Sequence, residues 1–178
     1  MRDALLLVDV VNDFRHKDGE SLLASFRERH GGLAAALDSA PAADVPVVYA
    51  NDNPGIWDGD APGLVRRAVE EGRGGDLVAA IAPREGDRFV VKPRYSAFDH
   101  TSLELILRDR DVERILLAGT ATEACVVQTA IDGREVGFKV SVLVDACATV
   151  DERLERIALE YLQEVVGVRV ADVGLLRR

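Results

Sequence analysis

Cysteine and histidine are scarce in this chain, and arginine has all but replaced lysine. Cys125 and Cys147 are the only thiols, too few for a disulfide framework, so a reducing cytoplasm is the expected compartment. The three histidines, His16, His30 and His100, have no ligand-like spacing, and no metal or other cofactor is expected. Basic charge is also in deficit: 22 Lys and Arg face 31 Asp and Glu, a net charge of -9. That balance lacks the basic footprint that nucleic acid requires. No apolar run approaches the ~20 residues of a membrane span, so no membrane partner is expected. Arg2-Asp3 leads straight into a strand-like run, and no signal peptide is expected. What is present is a chain of 178 residues, 48% hydrophobic. This suits a single domain over 1–178 with a core that needs neither staple nor metal.

Short apolar runs alternate with amphipathic segments. Strands are expected at Ala4–Val8, Val45–Ala50, Phe89–Val91, Arg114–Ala118, Lys139–Val144 and Val168–Ala171. Helices are expected at 20–38 with a break at Gly31-Gly32, then at Pro62–Glu71, Asp76–Ile81, Ser102–Arg108, Thr122–Val136 and Asp151–Glu164. The last of these has Thr149 or Asp151 as its cap. Such alternation predicts an α/β fold: a three-layer α/β/α sandwich around a mostly parallel, about six-stranded, Rossmann-like sheet. Ligands of such sheets bind beyond the carboxyl ends of the strands, at a switch point.

Three chemistry-bearing residues fall at those ends. The first strand stops at Asp9, the third runs into Lys92-Pro93, and the fourth breaks at Gly119 just before Cys125. A thiol in the first turn of a helix is biased toward thiolate by free N–H groups and the helix dipole. Lys92 would lower its pKa by charge, and Asp9 would accept its proton. Bland readings stand beside these: a free cysteine is often a small core residue, Asp9 suits a cap or turn, and Lys92 suits a solvated position. The three types together on one sheet edge favour chemistry.

On these residues the chain resembles the isochorismatase-like cysteine hydrolases, the group that also holds nicotinamidases and N-carbamoyl amidases. The resemblance rests on three motifs in order: Asp9-Val10-Val11-Asn12-Asp13-Phe14, Lys92-Pro93-Arg94-Tyr95-Ser96-Ala97-Phe98, and Gly119 to Val126. It implies an isochorismatase-like hydrolase that cleaves a C–N bond of a small amide or carbamoyl substrate through a thioester. Cys125 is then the nucleophile, Asp9 the proton carrier and Lys92 the supporting cation. It further implies a non-proline cis peptide at Thr120–Ala121, aiming the N–H groups of Ala121 and Cys125 at one point as an oxyanion hole. Substrate contacts are expected from Phe14, Asn51, Trp57, Phe98 and Thr120, and a homo-oligomer, dimer or larger, is expected.

Some positions depart from the family pattern. Val11 stands where many relatives carry Gln. The stretch Asn51-Asp52-Asn53-Pro54-Gly55-Ile56-Trp57 lacks the histidines that hold a metal in nicotinamidases. Asn51, Asp52 and Asn53 serve equally as turn formers, Phe14 and Phe98 equally as core, and Trp57 equally as a subunit contact. Cys147 reads as packing, with a redox partnership to Cys125 as the alternative. An isochorismatase-type vinyl-ether hydrolase and a non-catalytic binding member of the fold remain alternatives in function.

Overall fold

A computed structural model describes residues 1–53, 55 and 59–177. Six strands form its sheet: β1 (Asp3–Val8), β2 (Val47–Asp52), β3 (Arg88–Lys92), β4 (Arg114–Thr120), β5 (Lys139–Ala148) and β6 (Arg169–Ala171). Their order is β3-β2-β1-β4-β5-β6, and every pairing is parallel. The helices are α1 (Gly19–Ser39), α2 (Ala61–Glu70), α3 (Gly75–Ala80), α4 (Leu103–Arg108), α5 (Val127–Glu135) and α6 (Glu152–Tyr161).

β1 and β4 are apolar over Ala4–Val8 and Ile115–Ala118 because helices cover both faces. Leu5, Leu7 and Tyr49 pack against Leu22, Phe26 and Leu33 of α1. Leu6, Val48 and Leu117 pack against Leu103 and Leu107 of α4 and Ala130 of α5. This is the three-layer α/β sandwich that the alternating pattern predicts. No helix among the described residues is long and apolar enough to cross a membrane.

The chain winds outward from β1 through β2 to β3, then returns to the other side of β1 as β4. The switch point therefore lies between the carboxyl ends of β1 and β4, where Val8 is level with Gly119. A crevice is expected at such a reversal because the connections leave the sheet in opposite directions.

Several elements differ from the sequence reading. α1 does not break at Gly31-Gly32. A Cβ at Gly32 would lie 2.0 Å from the Asp145 carbonyl oxygen, so that glycine serves the close approach of α1 to β5. β5 continues past Val144 to Ala148, with a register shift against β4 between Leu117 and Gly119. The helix expected over 122–136 begins as a π turn, Thr122–Val126, before α5. A second π turn, Leu162–Val166, ends the α6 segment, and Gly167 stops it at φ +74°. Asp151 caps α6, its carboxylate accepting the N–H groups of Arg153 and Leu154 at 2.8 and 3.0 Å.

Candidate active site

Asp9 donates its N–H to Ala50 O at 2.9 Å, then leaves the strand at φ +50°. Left-handed backbone is uncommon for a non-glycine residue, with Asp among the more tolerant types. Two contacts hold the bend: Thr120 Oγ1 donates to Asp9 O at 3.0 Å, and the Asp52 N–H donates to Asp9 Oδ1 at 2.7 Å. The second carboxylate oxygen meets Lys92 Nζ at 2.8 Å. Lys92, the last residue of β3, is only 1% exposed. Its ammonium also donates to Arg94 O at 2.9 Å and reaches Cys125 Sγ at 3.5 Å. All three donors of the buried cation are thus occupied, as its burial requires.

Cys125 sits in the π turn that follows β4. The Thr120–Ala121 peptide just before that turn is cis. Gly119, at φ +132°, lets β4 come close to β1, since a Cβ there would lie 2.0 Å from Val8 O. The thiol accepts from Lys92 and lies close enough to the Asp9 carboxylate to feel its charge. Two strand ends and one turn therefore bring an acid, a base and a thiol into direct contact.

The electrostatics revise one expectation. Burial and the neighbouring Asp9 carboxylate push the Cys125 thiol up to about 12, and Lys92 opposes them without prevailing. The bias toward thiolate expected from the helix start is thus opposed here, and the shift favours the thiol form. Desolvation disfavours the anion, and the positive end of a π turn one turn long does not offset it. Burial raises Asp9 above the usual carboxylate range, against the pull of Lys92. Burial alone would lower Lys92, but Asp9 and Cys125 outweigh it and hold the ammonium above its ordinary value.

The other expected residues disperse. Phe14 is completely buried, its ring 5.1 Å from that of Phe26 in the α1-side core. It is a core residue and not a pocket wall. Asn51 is likewise structural: its Oδ1 accepts the Val11 N–H at 3.0 Å, and its Nδ2 donates to Val11 O and Asp52 O at 2.9 and 3.1 Å. Both of its amide donors are thereby used within the protein. Phe98 stacks on Phe138 at 6.0 Å. It lines a groove of about 730 Å³ between the 93–99 loop and α5 that includes none of Asp9, Lys92 and Cys125. Thr120, 1% exposed, braces the Asp9 backbone. Trp57 lies outside the described residues. Cys147 is fully buried and pushed up to about 12 by that burial; it is packing.

Two residues escaped the sequence reading. Glu123 ties the thiol's turn to the loop before α6, its carboxylate accepting from Thr149 Oγ1 (2.7 Å) and from the N–H groups of Val150 (2.8 Å) and Asp151 (3.2 Å). The Thr122 hydroxyl lies 2.9 Å from Glu155 Oε1 and 3.1 Å from Ala148 O, two acceptors for its one proton. Their adjacency to Cys125 was the available signal, but their partners lie 26 or more positions away.

The same chain, compared with known proteins, matches the Isochorismatase domain model over residues 3–173. The chain belongs to the isochorismatase family. Within that hydrolase family it is 32% identical to the ureidoacrylate amidohydrolase RutB of Methylobacterium radiotolerans, covering 96% of this chain and 76% of the relative. The crystal structure of nicotinamidase PncA from Bacillus subtilis superposes with a TM-score of 0.77 at 27% identity, covering 97% of this chain and all of the other. N-carbamoylsarcosine amidase from Thermoplasma acidophilum follows with a TM-score of 0.73 at 27% identity, covering 97% of each chain. The isochorismatase fold is thus shared over nearly the whole length.

Proposed function

We propose that this protein is a cysteine hydrolase that cleaves the C–N bond of a small amide or carbamoyl compound through a thioester. The observation that carries the reading is one buried ammonium joining carboxylate and thiol: Lys92 Nζ lies 2.8 Å from Asp9 Oδ2 and 3.5 Å from the Cys125 sulfur. The names of the three relatives above, an amidohydrolase, a nicotinamidase and a carbamoyl amidase, support C–N cleavage.

Because the resting group is a thiol, its proton moves as the sulfur attacks. Asp9 takes that proton, and Lys92 stays charged beside the sulfur and the carboxyl. The substrate carbonyl oxygen becomes an oxyanion, facing the N–H groups of Ala121 and Cys125. A donor of this kind typically lowers the barrier by ~3–4 kcal/mol. Collapse of the adduct breaks the C–N bond, and Asp9 returns the proton to the departing nitrogen. Water then yields a proton to Asp9 and attacks the thioester carbon, and the second collapse restores the thiol. Raised burial of Asp9 suits a group that must hold a proton midway and release it.

The test is a panel of amides, carbamoyl compounds and vinyl ethers assayed with the parent protein and Cys125→Ala. Amide turnover should fall by at least about 10³-fold in the variant, as when other covalent nucleophiles are removed. The parent alone should accumulate an acyl adduct by mass. Turnover that survives Cys125→Ala would remove the covalent route and leave the acid–base chemistry of Asp9 and Lys92, which suits a vinyl-ether substrate.

A further inference from the structure

The Cys125 turn is held from its buried side by a carboxylate that the reaction itself does not use. Glu155, in the first turn of α6, is 6% exposed. Its Oε1 accepts the hydroxyl of Thr122 at 2.9 Å, and its Oε2 accepts Arg29 Nη2 at 3.2 Å. Arg29, on α1, donates its other terminal nitrogen to Val144 O at 2.6 Å and Cys147 O at 3.3 Å. Thr122 is fully buried and opens the π turn that carries Cys125. Three elements, α1, β5 and α6, therefore converge on one hydroxyl, three residues before the thiol.

We propose that Glu155 is a positioning residue that fixes the Cys125 turn through Thr122, with Arg29 holding the carboxylate in place. This inference rests on Cys125 being the nucleophile. A purely structural role explains the arrangement poorly. Burying the Glu155 carboxylate is costly even with the part-exposed Arg29 beside it, and a well-packed apolar side chain in its place is often neutral or stabilising. What the carboxylate supplies and an apolar residue does not is a strong, directed acceptor. It fixes the Thr122 side chain, and with it the first residue of the one-turn segment that carries Cys125. Glu123 clamps the same turn from the rim through Thr149, Val150 and Asp151, so the two residues together constrain where the sulfur meets Asp9 and Lys92.

The experiment compares Thr122→Val, which keeps the shape and removes the hydroxyl, with Thr122→Ser, which keeps the hydroxyl, and with Glu155→Gln. Each is assayed for kcat and KM on the best amide of the panel and for the rate of Cys125 alkylation by iodoacetamide, located by peptide mass. In Thr122→Val, kcat should fall roughly 10- to 100-fold with KM within about twofold, the signature of a misplaced reacting group. The alkylation rate should depart from the parent's, and Thr122→Ser should restore both. Glu155→Gln keeps an acceptor oxygen but not its charge, so it should fall between parent and Thr122→Val; it also serves as the readout if Thr122→Val does not fold. Variants that lose thermal stability but keep the parent's kcat and alkylation rate per folded molecule would overturn the proposal. Failure of the nucleophile reading would look different: Cys125→Ala would then retain turnover, whatever Thr122→Val does.

Discussion

Asp9 has opposite effects on the two steps in which the thiol takes part. As a carboxylate beside the sulfur it raises the thiol pKa, while in the proposed reaction it is the base that takes the thiol proton. Asp9→Asn separates these effects. With the negative charge gone, only burial raises the thiol and Lys92 alone acts to lower it, so the pKa of Cys125 should drop below its parent value of about 12. Alkylation near pH 8 should then quicken, while amide turnover falls ~10²–10⁴-fold for want of a proton carrier. Slower alkylation in Asp9→Asn would contradict this account. Asp9, Lys92 and Cys125 were legible in the sequence because the first two terminate apolar runs and the third opens the helix-like segment after one. Phe14 and Asn51 were not: an aromatic or amide side chain near a strand end serves a core or a loop as readily as a pocket. Only the ring of Phe26 and the backbone of Val11 decide between those roles.

At the level of elements, β1, β4 and α1 were legible from periodicity, but α1 was expected to break at Gly31-Gly32. Glycine is a weak helix former, yet a helix this long with a buried face tolerates two of them. Gly32 is needed because β5 passes so close. Gly32→Ala should destabilise the fold by ~2 kcal/mol or more through overpacking against the Asp145 carbonyl, read by denaturant unfolding. Gly31→Ala, with open space at its Cβ, should be neutral or slightly stabilising. Equal effects at the two positions would show that helix propensity, not the β5 contact, governs the pair. The π turn around Cys125 gave no sequence signal, because an extra residue per turn leaves the apolar spacing of a short segment looking helical. Thr122 and Glu123 hold that turn through residues far along the chain, which local patterns do not reach.

At the level of the whole molecule, β1 and β4 lie at the middle of the sheet, buried along nearly their whole length and paired on both sides. β6 is a three-residue edge strand with no buried residue. Amide hydrogen exchange should therefore be slowest in β1 and β4 and fastest among the strands in β6. Protection of β6 equal to that of β1 would mean that a further surface covers this edge. The sequence by itself determined the α/β alternation, the apolar character of the central strands, and the acid, lysine and cysteine at or just beyond strand ends. These are local properties, set by the side-chain sequence along single segments. Tertiary structure alone decided the strand order and the resulting switch point. It also decided the contact of Lys92 with Asp9 across β2, and the burial that shifts the thiol upward. Each of those depends on which distant segments become neighbours and on how much water their packing removes.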